Sequence, residues 1–156
     1  MRASANIGGH PIHPMLVGLP IGLWVFSFVS DLIYLWRGNP AWQIVAFYCL
    51  AGGCVGAALA AVFGLIDLLG IKDSTAFRTG LLHAGCNVVA LVIFGVSFYF
   101  RTAGGGQALG AGSRVPVALS LVGVIVLSVA GWLGGEMVFK GGVGVDMRTD
   151  INARGE

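Results

Sequence analysis

Four apolar stretches, at about 15–36, 42–70, 79–100 and 115–139, constrain this chain more than any other feature of it. Each has at least the ~20 residues that carry an α-helix across a ~30 Å hydrocarbon layer at 1.5 Å per residue. Lipid offers no hydrogen-bond partners, so a spanning segment must satisfy its backbone within itself, and these segments are expected to be helices. Period-two alternation, the mark of strands, is absent. Only 10% of the 156 residues are charged and 56% are hydrophobic, whereas a soluble domain carries about 25% charged residues. The expectation is an all-α integral membrane four-helix bundle, one transmembrane domain over 1–156 with a polar tail from 140 to 156.

The punctuation between the stretches agrees. Gly38-Asn39-Pro40 reads as a short turn, Lys72-Asp73-Ser74-Thr75 as a second, and Gly104 to Ser113 as a longer flexible loop. That loop lacks the Gly-Lys-Ser/Thr of a phosphate-binding loop. The first stretch is too long for the apolar core of a secretory signal and is read as a helix of the mature protein. No internal repeat is evident.

Glycine makes up 26 residues, roughly twice the usual share, and its placement suits close helix packing. Gly52, Gly56, Ala60 and Gly64 recur every fourth residue. Gly18 and Gly22, and Gly131 and Gly135, have the same spacing. Pro20 should kink the first helix. Cys49, Cys54 and Cys86 form no CxxC or zinc spacing and read as small apolar residues. A net charge of +2 is too small and too dispersed for a nucleic-acid surface.

Lys and Arg set orientation. Arg2, Lys72, Arg78, Lys140, Arg148 and Arg154 fall on the side of the N-terminus, here side A. Arg37, Arg101 and Arg114 fall on side B. Side A is therefore expected to be cytoplasmic, with both termini inside.

Threading the helices brings most of the chemistry to side A. His10 and His13 precede the first helix, Asp67 ends the second, His83 and Asn87 begin the third and Glu136 ends the fourth. Ionisable groups in membrane spans cost a few kcal/mol each and usually face the bundle interior. Each taken singly is also explained as a wet interfacial residue; the joint pattern argues for a site. His83 and Asn87, at i and i+4, share a helix face. In His10-Pro11-Ile12-His13-Pro14 each proline disfavours the α conformation for the histidine before it, so His13 can cap the helix that Pro14 opens. Imidazole and carboxylate suit a transition metal; two imidazoles on facing helices suit haem iron. The candidate metal ligands are His10, His13, Asp67, His83 and Glu136, and the candidate cofactor contacts are His13, His83, His10 and Asn87, the last orienting a ligating ring. A proton relay uses the same residues. Asp31 is expected to pair with Arg37, Arg101 or Arg114 on side B. Trp24, Trp36, Trp42 and Trp132, with Tyr34, Tyr48 and Tyr99, read mainly as interfacial anchors.

The opening Gly9-His10-Pro11-Ile12-His13-Pro14, continuing to Leu19-Pro20-Ile21-Gly22, resembles the DUF2231 family of small bacterial membrane proteins. So do His83-Ala84-Gly85-Cys86-Asn87 and Gly131-Trp132-Leu133-Gly134-Gly135-Glu136, with Gly142-Val143-Gly144-Val145 after it. The resemblance covers about residues 8 to 146. It implies four membrane helices and no settled function. Some members resemble fusions to a C-terminal Rieske-type iron–sulfur domain, which implies electron transfer, with a separate redox protein as partner here. Some relatives carry His at the position of Glu136, which implies that a ligand can stand there.

The expected function is a metal or haem b site on the cytoplasmic end of the bundle, serving membrane electron transfer or quinone-linked redox chemistry in a bacterial inner membrane. The alternative is a non-redox protein: a small-solute or proton transporter, needing homo-oligomerisation at this size, or a structural subunit.

Overall fold

The computed structural model describes residues 4–103 and 114–145. Among these, four long helices account for the fold: α1 (Ile12–Arg37), α2 (Ala41–Leu69), α3 (Ser74–Ala103) and α4 (Val115–Phe139). They have 26, 29, 30 and 25 residues, and each is long and apolar enough to cross a membrane. The chain is an all-α integral membrane protein. The segment Gly104 to Ser113, expected from the sequence to be a loop, and most of the expected polar tail lie outside the described residues.

Local chemistry sets the turns. Gly38 ends α1 at φ +70°, a left-handed conformation that costs glycine little, and its N–H returns to the Tyr34 carbonyl at 2.8 Å. The Asn39 side-chain oxygen then accepts the Ala41 N–H at 3.0 Å. Asp73 accepts the Ala76 N–H at 2.7 Å and so caps the start of α3. Ahead of α1 the chain forms a small antiparallel hairpin, β1 (Asn6–Ile7) with β2 (His10–Pro11). Gly8 and Gly9 turn it, both at positive φ, as a two-residue hairpin of this hand requires.

The helices pair into two hairpins. α1 packs closely along α2 and α3 along α4, while the two hairpins touch more sparingly. The small-residue stripe of α2 does face α1. Gly56 lies against Pro20, and a Cβ on Gly52 would sit 3.2 Å from Leu23. The pairs Gly18/Gly22 and Gly131/Gly135 behave otherwise: a Cβ on any of the four would have nothing within 4 Å. The close approaches on α4 are instead at Gly123 and Gly134. α1 is continuous through Pro20, whose ring is buried on α2.

The core is aromatic at its centre. Trp24 of α1 stacks on Phe94 of α3, ring centres 4.3 Å apart, among Leu50, Ala90 and Leu127. Trp24 is therefore a core residue and no interfacial anchor, whereas Trp36 and Trp132 are 76% and 72% exposed. Outward faces carry exposed Val55, Leu59, Val62, Val88, Val92 and Ile125. In water so much exposed apolar surface would drive association; lipid is its natural contact.

Candidate functional site

α1 and α3 start on the same side of the bundle and bring His13 and His83 together. Their ring centres are 6.3 Å apart with planes at 89°. His13 does not cap α1 from outside, because the helix begins one residue earlier, at Ile12, behind Pro11. Pro14 is tolerated there because the first-turn N–H groups have no helical partner to lose. The penalty that Pro14 imposes on His13 is offset by tertiary contact: Ile12 N–H donates to the Ala5 carbonyl at 3.0 Å, and the His13 ring is held on α2.

Each ring is held in the same way. His13 Nδ1 lies 2.9 Å from the Ala60 carbonyl oxygen, and His83 Nδ1 lies 2.8 Å from that of Ala130. A carbonyl only accepts, so in both rings Nδ1 carries the proton and donates. The Nε2 lone pairs are left for another partner. Glycine makes room: a Cβ on Gly64 would come within 2.8 Å of His13, and one on Gly134 within 3.0 Å of His83. The small-residue stripe thus has a second use, baring a helix carbonyl to an imidazole.

Asn87 holds the remaining nitrogen of His83. Its amide donates to Nε2 at 3.1 Å and to the His83 carbonyl at 2.8 Å, which uses both of its N–H groups. Among the described residues, no hydrogen bond reaches Nε2 of His13.

The other candidates stand apart. Asp67 accepts the Ala5 N–H at 2.8 Å and fastens the N-terminal segment to the end of α2. Glu136 is one-third exposed and pairs with Lys140 one turn on, Nζ to Oε1 at 2.5 Å. His10 is exposed on β2. Among the described residues, no three of His, Cys, Asp and Glu come together as a metal group. The convergence read from the sequence is real as a placement at one end; as contact it reduces to His13, His83 and Asn87.

The other end holds a buried ion pair. Arg101 Nη1 and Nη2 donate to Asp31 Oδ1 and Oδ2 at 2.9 and 2.5 Å, and neither side chain has any exposure. Of the three arginines open to Asp31, the structure selects Arg101. Ser120 Oγ lies 3.5 Å from Nη2, and Ser27, Ser30 and Ser97 are also fully buried. Arg101 is no flanking charge on side B: it lies within α3 and belongs to the span. The signal was available: Arg101 continues the apolar face of Phe94 and Ser97 at helical spacing.

Comparison with known families places the chain. The family model for DUF2231, described as a predicted membrane protein, matches residues 9–147. No curated protein matches the chain. No solved structure matches it.

Proposed function

The chain belongs to the DUF2231 family of predicted membrane proteins, and within that family we propose that it carries a redox centre between His13 and His83, a transition metal or haem b, for membrane electron transfer or quinone-linked chemistry. One observation carries the reading: two imidazoles from different hairpins face each other, each with Nδ1 committed to a helix carbonyl. That is how metal-binding histidines are commonly held, since donating from one nitrogen fixes the ring and leaves the other to ligate. The spacing supports it. With metal–nitrogen bonds of about 2.0–2.1 Å, ring centres 6.3 Å apart are close enough for one ion to reach both rings.

The donor set favours haem over a bare ion. A structural zinc seeks four protein ligands, and no third His, Cys, Asp or Glu joins the pair among the described residues. Haem iron asks for only two axial ligands. Nε2 of His83 must first leave the Asn87 amide. A redox partner, an iron–sulfur protein or another carrier, would dock on side A beside the pair. We place the protein in a bacterial cytoplasmic membrane with both termini inside. Lys72, Arg78 and Lys140 support that orientation more strongly now that Arg101 is spent inside the bundle.

The Asn87–His83 bond favours the second reading, a proton or small-solute transporter or a structural subunit, because it already satisfies the ring. One preparation separates the two. The protein is expressed with iron, haem precursor and trace metals supplied, purified in mild detergent, and its visible spectrum recorded oxidised and reduced beside a metal analysis. A Soret band that shifts on reduction, or one transition metal per chain, is expected. A folded sample with neither gives the place to the second reading.

A further inference from the structure

The two hairpins make the same contacts at the same relative positions. His13 and the Ala60 carbonyl are 47 residues apart, and so are His83 and the Ala130 carbonyl. Ser27 Oγ donates to the Ala46 carbonyl across 19 residues, and Ser97 Oγ to the Pro116 carbonyl across 19. A Cβ on Gly53 would strike Trp24; one on Gly123 would strike Phe94. The contacts between α1 and α3 follow the same rule. His13 meets His83, Trp24 meets Phe94 and Asp31 meets Arg101, each pair separated by the same 70 residues. That shift also carries Ala60 to Ala130, Gly64 to Gly134, Gly53 to Gly123 and Ser27 to Ser97.

A residue touches its own equivalent only where a two-fold axis passes between them. Three such contacts at three depths define a line. α1 and α3 run in the same direction, so the line lies along the bundle, the arrangement of a parallel repeat in a membrane protein.

We infer that the chain is a tandem repeat of one two-helix hairpin, and that the inner face of each copy is an interface whose fitting partner is the other copy, never its own kind. Asp31 and Arg101 carry that choice. Two first hairpins would set Asp31 against Asp31 on the axis, and two second hairpins Arg101 against Arg101, at a depth without solvent. Like charges so placed reject the wrong pairing. The surroundings are differentiated to match. Ser120 Oγ accepts from Arg101, and its equivalent in the first copy, Leu50, is fully buried and apolar. Nothing in this inference depends on what the histidines bind.

Exchange across the repeat tests it. The variants Asp31→Arg and Arg101→Asp each place like charges on the axis, and each is expected to lose the monodisperse folded protein in detergent. The double exchange D31R/R101D restores the pair with its members swapped and is expected to recover folded protein. Adding L50S/S120L, which moves the hydroxyl with the guanidinium, is expected to bring Tm close to that of the parent. An ordinary ion pair in unlike surroundings would not survive this reversal. A four-residue exchange no more stable than the single variants overturns the equivalence of the two halves.

Discussion

Asp31 and Arg101 lie against each other in a two-pronged ion pair between separate hairpins, with no solvent reaching either side chain. A guanidinium inside a membrane span costs a few kcal/mol even on lenient insertion scales, and the carboxylate is what offsets it. Asp31→Asn keeps the shape and removes the charge, so Arg101 stays buried without a counter-ion. The expected loss is about 3–5 kcal/mol, read by denaturant titration in mixed micelles. D31L/R101L removes both charges and should cost much less. Equal losses in the two variants would show that stability here comes from packing and not from pairing.

The second prediction concerns which glycines matter. Gly53 and Gly123 each give way to an aromatic ring, Trp24 and Phe94. Gly53→Val or Gly123→Val should therefore overpack the centre and cost about 1–3 kcal/mol. Gly18→Val and Gly22→Val meet nothing within 4 Å and should stay within about 0.5 kcal/mol of the parent. Thermal unfolding of the four variants in one detergent decides. A large loss at Gly18 or Gly22 would mean that this face is covered by another molecule.

Helix number, fold class and the end of the bundle occupied by each polar side chain were legible because the bilayer fixes span length and forces the helices to alternate in direction. Depth around each helix was not. Glu136 and His83 reach the same end, yet one lies at the surface beside Lys140 and the other faces the bundle interior. An all-apolar helix carries little amphipathic signal to say which face is inner. Spacing alone likewise could not separate Gly131 from Gly134. The repeat is faint in the sequence for the same reason. Outward positions such as Gly18 and Val88 need only be acceptable to lipid and have diverged, while the positions that match, among them His13/His83, Gly53/Gly123 and Ala60/Ala130, lie scattered among them.

The third prediction separates a two-histidine centre from a wider ligand set. His13→Ala and His83→Ala should each abolish bound haem or metal, because each removes one of the two imidazoles that lie against each other. Asp67→Asn, Glu136→Gln and His10→Ala should leave occupancy unchanged, since those side chains bond elsewhere or lie exposed. Metal content and the reduced-minus-oxidised spectrum of the five variants give the answer. Loss of the centre in Glu136→Gln would restore the carboxylate to the ligand set.

The last prediction turns on Asn87. Its equivalent in the first hairpin is Val17, so the two histidines differ in one respect: the Nε2 of His83 accepts an amide N–H and, among the described residues, that of His13 does not. A metal approaching His83 has to displace that bond, worth about 0.5–1.5 kcal/mol. Asn87→Val gives the second hairpin the residue of the first and removes the competitor. Affinity for haem or for Co(II) should then rise, by up to about tenfold for the upper end of that range, while the Ala130 carbonyl still holds the ring through Nδ1. Titration followed by visible absorption measures the affinity, and ¹⁵N spectra of labelled histidine report whether His83 keeps its proton on Nδ1. Weaker binding by a folded Asn87→Val protein, with that proton moved to Nε2, would mean that Asn87 sets the tautomer that makes His83 a ligand.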